Sequence, residues 1–349
     1  MTGSVRKTPR VRGLWLAASG AVLAGCGHPF SMVSPGGPAS GNIAALGWFV
    51  FILFCVVAVI MWVLIAWISL RRRGSFDQHA PVDVGGGQSW ILIGGFVIPF
   101  VILAAVFVVG LDSMTAFPLG GPHQGMAHTT PPPDIRMTGH QWWWQVQYVK
   151  GPLPQLVMTA DEIHVPVGRP VDIDLTSDDV IHSFFVPTLH GKVDLIPGQM
   201  NRIRIEADQP GIYRGRCAEY CGAQHAHMEF VVVADAPADY EAWLARQGEN
   251  ASAPVTDQEK RGQALFLSRA CSLCHTIRGT LANGRVGPDL THIGSRLGLA
   301  SNMLVNNTAN LEAWVTHAQS LKPEAQMPDV TQFNGDELRD LVAYLQQLR

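Results

Sequence analysis

Charge is scarce in this chain. Only 15 % of its 349 residues are Asp, Glu, Lys or Arg, against 47 % hydrophobic residues. The first 76 residues contain no acidic side chain, although they carry Arg6, Lys7, Arg10, Arg12 and Arg71 to Arg73. So apolar a composition excludes a disordered tail protein and is unlike a typical soluble enzyme, so membrane segments are expected. Positive charge is not in excess either. A formal net charge of −3 argues against nucleic acid as a partner. Acid is concentrated in residues 112–245, with 16 Asp and Glu against 8 Lys and Arg, whereas residues 246–349 balance at 10 and 10. Cysteines number six, as two close pairs (Cys217 with Cys221, Cys271 with Cys274) and two singles (Cys26, Cys55). That pattern excludes a disulfide framework and suggests two metal or cofactor sites beside two unrelated thiols.

Hydropathy divides the chain. A basic stretch followed by the apolar run Leu14 to Gly25 is too short to span a bilayer and predicts a signal peptide over 1–25. Leu23-Ala24-Gly25-Cys26 resembles a bacterial lipoprotein processing site, which makes Cys26 a lipidation candidate. Residues 26–42, rich in Gly, Pro and Ser, are expected to form a linker. Ile43 to Leu70 and Gly85 to Leu111 are two uncharged runs, giving a transmembrane hairpin over 43–112 with a kink expected at Pro99. The triple arginine between the runs makes that turn cytoplasmic and puts both chain ends outside. Pro131 to Pro133 mark a boundary. Beyond it, Val171, Ile173 and Leu175 alternate with Asp172 and Asp174, and Ile203 and Ile205 alternate with Arg202, Arg204 and Glu206. Period two with Gly/Pro turns predicts a β-sandwich over 135–235. Residues 246–256 are small and polar, a predicted flexible linker, and 257–349 are predicted helical. Within that last stretch, Thr256 with Glu259 and Asn334 with Glu337 form capping-box patterns.

The densest chemical cluster is Cys217-Ala218-Glu219-Tyr220-Cys221 with His225 and Met228, joined by His182 upstream. Thiolates, imidazoles and a thioether are soft ligands suited to copper; zinc would have no use for the methionine. One thiolate would make a mononuclear blue-copper site, and two allow a bridged pair. A Cys217–Cys221 disulfide is the plain alternative.

The run from Cys217 to Met228 resembles the binuclear copper (CuA) loop of cytochrome c oxidase subunit II. Gly139-His140-Gln141-Trp142-Trp143-Trp144 and Lys192 to Gly198 are similar to that family too, and the resemblance spans about 43–234. It implies a cupredoxin-like domain in which Cys217 and Cys221 bridge two coppers. His182 and Met228 then complete one copper, and His225 and the Glu219 carbonyl the other. The Glu219 carboxylate would ligate a Mg or Mn ion shared with subunit I. Trp142 would be the surface tryptophan where electrons enter, and the acidic domain would suit a basic donor. One departure is notable. Many members carry a glutamate before the tryptophan opening the second helix, whereas this chain reads Gly85-Gly86-Gly87-Gln88-Ser89-Trp90, with Asp83 the nearest acid. Proton entry through this subunit is thereby in doubt.

Cys271-Ser272-Leu273-Cys274-His275 is C-x-x-C-H, the attachment sequence for haem c, with His275 placed as an axial ligand. A thioredoxin-like reading lacks the βαβ pattern. Met327, in Lys322 to Pro328, resembles the second axial ligand of class I cytochromes c, and Met303 lacks that context. The same resemblance makes the Pro288 carbonyl the acceptor for the His275 ring and packs Gly262 and Phe266 near Tyr344.

The expectation is thus a multidomain membrane protein: a two-helix hairpin, a cupredoxin-like β-sandwich and an all-α cytochrome c domain. It implies the outer face of a bacterial inner membrane, with subunits I and III and an upstream electron donor as partners. Electrons would run from haem c to CuA and on to subunit I for reduction of oxygen, with 246–256 as a loose tether. Quinol oxidase subunits lack these copper ligands, nitrous oxide reductase lacks the hairpin, and a membrane-anchored carrier is the non-enzymatic rival.

Overall fold

The computed structural model describes residues 30–71, 87–115, 132–149 and 157–349. The expected signal peptide, Cys26, Arg72, Arg73, Asp83 and Pro131 lie outside the described residues.

α1 (Pro38–Leu70) is 33 residues long, with a mean hydropathy of 3.2 over its most apolar stretch. At 1.5 Å per residue it spans about 50 Å, more than the roughly 30 Å of a bilayer core. Phe51, Phe54, Trp62 and Leu70 are all exposed, so apolar side chains face outward all round, as on a helix that meets lipid. The second run forms α2 (Gly87–Leu92), a π-helical turn (Ile93–Val97) and α3 (Ile98–Thr115), which lies against α1. The kink expected at Pro99 takes the form of this wider turn. Proline has no N–H and its ring crowds the carbonyl four residues back, and i→i+5 bonding relieves both.

The linker expected over 26–42 is corrected. Its last five residues are already helical, and among the described residues Gly36 and Ser40 are fastened to the sandwich. Gly36 N donates to Thr188 O (2.7 Å), Asp208 N to Gly36 O (2.8 Å) and Ser40 Oγ to Thr188 O (2.7 Å). A Cβ on Gly37 would lie 2.0 Å from Glu206 O, so only glycine fits there. The Gly/Pro/Ser composition reflects close backbone contact rather than looseness.

The sandwich has two five-stranded sheets. In chain order its strands are β1 (Ile135–His140), β2 (Trp143–Tyr148), β3 (Val157–Ala160), β4 (Glu162–Pro166), β5 (Val171–Ser177), β6 (His182–Phe185), β7 (Val193–Leu195), β8 (Asn201–Ile205), β9 (Gly211–Cys217) and β10 (Glu229–Asp235). One sheet runs β3-β2-β1-β5-β8 and the other β4-β10-β9-β6-β7. The pairs β1–β5 and β4–β10 are parallel. Alternate residues turn inward, and Met137, Trp144, Ile173 and Leu175 meet Phe184, Leu195, Phe230 and Val232 in one core. His140 pairs with Trp143, which leaves Gln141 and Trp142 as the tip of the β1–β2 hairpin. α4 (Pro237–Gln247) closes the far end, where Trp243 stacks on His164 at 3.9 Å.

The last unit contains α5 (Asp257–Ser268), α6 (Cys271–Cys274), α7 (Thr308–Thr316), α8 (Ala318–Leu321) and α9 (Gly335–Gln347), with a small ribbon of β11 (Gly298–Leu299) and β12 (Leu304–Val305). Both expected capping boxes form, at Thr256–Glu259 and Asn334–Glu337. α5 crosses α9 at Gly262, and Phe266 packs 6.2 Å from the Tyr344 ring. The flexible tether expected over 246–256 is also corrected. α4 runs through Gln247, the Arg278 guanidinium donates to the carbonyls of Gln247 and Gly248, and Ala251 N donates to Arg278 O. His292 Nε2 reaches Glu249 O at 3.2 Å. These small polar residues lie on the helical unit because Arg278 and His292 gather their carbonyls.

Two predictions follow from this packing. At Gly262 a Cβ would lie 2.0 Å from Asp340 O, a backbone atom that cannot yield. Gly262→Ala is expected to destabilise the helical unit by about 2–3 kcal/mol, read as a lower thermal midpoint by circular dichroism. His164 lies between Asp235 (2.6 Å) and Glu162 (2.9 Å). Burial alone would lower its pKa, but the two carboxylates raise it above 6.5. A raised histidine stabilises fully below pH 6.5 and loses that contribution as pH rises through the higher folded value. Sandwich stability should therefore decline across that window, and His164→Gln should flatten the decline in denaturant titrations at several pH values.

Candidate metal and haem sites

Strand ends converge on the first site. His182 opens β6, Cys217 closes β9, and residues 218–228 form a loop that carries Cys221, His225 and Met228 before β10. The two sulfurs lie 3.7 Å apart and are not bonded to each other. Cys217 Sγ is 3.9 Å from His182 Nδ1 and 3.2 Å from Glu219 O. Cys221 Sγ is 3.6 Å from His225 Nδ1 and 3.8 Å from Met228 Sδ. Each sulfur thus has one imidazole and one further donor of its own. Among the described residues, His182, Cys217 and Cys221 form a buried group whose donor atoms fall within 4.8 Å of one another. This soft set fits copper. The hydrogen bond from the Cys221 thiol holds Cys217 well below the usual thiol range, and the same bond pushes Cys221 up. The Glu219 carboxylate lies apart, 3.6 Å from Lys192 Nζ. His227 is exposed and pairs with Gln224.

Around these donors stand residues outside the copper-loop run 217–228. Asp179 Oδ1 lies 2.8 Å from His182 Nε2, which fixes the ring proton there and leaves Nδ1 as a lone-pair donor toward Cys217. Asp179 Oδ2 also accepts from Gln141 N at 2.6 Å. The side chains of Gln141 (2.8 Å) and Trp142 (2.9 Å) both donate to Cys221 O. Gly139 makes room for the His182 ring, because a Cβ there would lie 2.7 Å from His182 Cδ2. The spacing Asp179-x-x-His182 is a readable signal; Gln141 falls inside the run 139–144, but the run gives no sign that its side chain binds Cys221 O.

The second site is a cavity of about 390 Å³ in the helical unit. Its wall includes Cys271, Cys274 and His275 on the α6 side, Met327 from the loop after α8, and apolar residues such as Phe266, Leu290 and Leu345. His275 Nδ1 lies 2.8 Å from Pro288 O, so the ring N–H is spent there and Nε2 is free as a ligand. Burial lowers the pKa of His275 and keeps the ring neutral. Gly287 is required, since a Cβ would approach His275 Cε1 to 2.6 Å. Gln319 Nε2 donates to the carbonyls of Ala325 and Met327, both at 2.6 Å, and so holds the methionine loop. Met303 does not line the cavity. Paired thiols, an oriented imidazole, a thioether and apolar walls fit a covalent haem.

Trp142 joins the two sites. It lines the cavity with Gln141 and Trp143, and its indole N–H is bound to the Cys221 carbonyl. The expectation of a surface tryptophan is corrected here: Trp142 is only 6 % exposed, covered by residues 300–301 and Lys322 of the helical unit.

The family model for cytochrome c oxidase subunit II, periplasmic domain, matches residues 134–235, and that for cytochrome c matches residues 259–349. A curated cytochrome c oxidase subunit 2 from Alkalihalophilus pseudofirmus is 33 % identical over 299 residues, covering 85 % of this chain and 84 % of that protein. This chain belongs to the cytochrome c oxidase subunit 2 family. A second member, from Bacillus subtilis, is 25 % identical and covers 96 % of this chain and 97 % of its own. The solved periplasmic domain of cytochrome oxidase subunit II from Bradyrhizobium japonicum is 30 % identical, covers 33 % of this chain and 94 % of that one, and has a TM-score of 0.30. As a subunit 2 with a cytochrome c domain, the chain is part of an oxidase, and an electron-transfer role fits both halves.

Asp179 supplies a test of the first site. Asp179→Asn keeps the shape but removes the charge that orients His182, and copper affinity should fall about 10- to 100-fold. Retention of copper against a competing chelator measures it.

Proposed function

We propose that this chain is subunit II of a respiratory haem–copper oxidase in a bacterial cell membrane. It takes electrons at its cytochrome domain and passes them through the sandwich to subunit I, where oxygen is reduced to water. α1 and α2–α3 would each cross the membrane, with both soluble domains on the outer side. Cys271 and Cys274 would hold a haem c covalently, with His275 and Met327 as its iron ligands. His182, Cys217, the main chain of Glu219, Cys221, His225 and Met228 would hold a CuA pair. Bound there, the two groups supply reversible one-electron chemistry. The Glu219 carboxylate would take part in a Mg or Mn site shared with subunit I. Subunits I and III and an upstream cytochrome c are the expected partners.

One observation carries this reading: Trp142 lines the haem-type cavity while its indole N–H is bonded to Cys221 O, 2.9 Å away. A single side chain thus connects the wall of one site with a ligand residue of the other. The protein's own work is to hold these parts rigidly, keep water from them, and fix ring protons at His182 Nε2 and His275 Nδ1. Because the cytochrome domain covers Trp142, an external donor would meet that domain rather than the tryptophan.

Trp142→Phe in the assembled oxidase keeps an aromatic ring at this position and deletes the N–H. Single-turnover haem-to-copper transfer should slow about tenfold, equal to about 1.4 kcal/mol of barrier, with both optical spectra unchanged. An unchanged rate would remove Trp142 from the route.

A further inference from the structure

The cytochrome unit meets the sandwich through Ala300, Ser301 and Lys322, which stand in the wall of the haem-type cavity, and through Leu297 and Asn302, which do not line it. Between β11 and β12, Ala300 (φ 53°), Ser301 (φ 62°) and Asn302 (φ 58°) are all left-handed. Three consecutive non-glycine residues in that region carry steric strain that the surroundings must offset. What the conformation achieves is directional. Ser301 Oγ donates to Trp142 O at 2.6 Å, and Asn302 Nδ2 donates to Asp161 O at 2.7 Å. Close by, Leu297 N donates to Glu162 Oε2 at 2.9 Å.

Lys322 completes the contact. It is 2 % exposed, and its Nζ reaches Trp142 O (2.7 Å), Ser301 Oγ (3.0 Å) and Ala300 O (3.2 Å), so all three ammonium protons have partners. One partner belongs to the sandwich and two to the strained turn. Burial lowers the pKa of Lys322 to about 8, so the charged form still predominates at neutral pH. A buried ammonium deprived of acceptors is strongly unfavourable. Undocking would remove the Trp142 carbonyl from Lys322 and Ser301 together, leaving the strained turn with only its two contacts to Lys322.

We infer that the turn 300–302 and Lys322 form a latch that holds the cytochrome unit on the Trp142 carbonyl, and that Lys322, Ser301 and Asn302 are positioning residues for transfer between the two sites. The inference rests on the relay proposed above. It replaces a mobile tether by a docked state whose geometry is set at the same residue that contacts Cys221. The latch residues act through Trp142.

The test uses the full chain in the assembled oxidase, with Lys322→Met and Asn302→Gly. The glycine variant tolerates a positive φ, so it removes a latch hydrogen bond without straining the fold. Hydrogen exchange followed by mass spectrometry reads docking, and flash-induced haem-to-copper transfer reads function. In each variant, protection of the segment beginning at Leu297 should fall by about tenfold to a hundredfold, the range for hydrogen bonds to charged or buried groups. Protection in the sandwich core and in α9 should hold in both, transfer should slow in both, and the haem and copper spectra should stay the same in Asn302→Gly, whose side chain lies off the cavity wall. Wild-type protection and rate in both variants would overturn the latch. Absence of haem-to-copper transfer in the wild-type oxidase would instead overturn the relay, and the exchange data would still report on the latch.

Discussion

One peptide carbonyl ties the molecule together. Cys221 O accepts hydrogen bonds from both Gln141 and Trp142, while the sulfur of the same residue sits in the thiol cluster. The loop 218–228 has few strand partners of its own. Its position depends on this anchorage to the β1–β2 tip, together with the Cys217 N to Met228 O bond at its base. Gln141 in turn donates its own N–H to Asp179, and Asp179 orients His182. Three distant stretches of chain, 139–142, 179–182 and 217–228, therefore close one circuit of hydrogen bonds. Displacing any member shifts the donors of the site as a group, as expected of a cooperative buried network.

That circuit stands on a stiff support. Phe230 packs against Trp144 (5.2 Å) and Phe184 (4.9 Å) beneath it, and Trp144 also abuts His182. Donors mounted on such a base change position little when charge changes, which favours fast one-electron transfer. The boundary with the cytochrome unit is of another kind. Asp161, Glu162, Arg296 and Lys322 are all buried there. Burial of charge adds little net stability but penalises misalignment, because a displaced partner leaves an unpaired charge. The sandwich interior thus provides rigidity, and the boundary provides one preferred alignment.

Much of this was legible in the chain. Uncharged runs marked both long helices, period two marked the sandwich, and C-x-x-C-H and the Cys217–Met228 run marked the two sites. The errors share a cause. The composition of 26–42 and 246–256 suggests looseness, yet small residues also suit a backbone that presses against its neighbours, as Gly37 does on Glu206. Trp142 was expected at the surface because its role was inferred within one domain, and its burial is a property of two. Lys322 was visible only as part of the stretch before Met327. A lone lysine carries no local sign that its acceptor lies 180 positions earlier. Local pattern reports periodicity and contiguous motifs; it is silent on which domain covers which.

The fastening of Gly36 and Ser40 to Thr188 has a consequence for the whole assembly. α1 begins two residues after Gly36, and no free chain intervenes between the helix and the sandwich. A helix embedded in lipid has its depth and tilt constrained by the bilayer, so the sandwich inherits both. The thiol cluster then sits at a set height above the membrane, and its bearing toward a neighbouring subunit is decided by the first helix, as a gauge block sets the height of a tool.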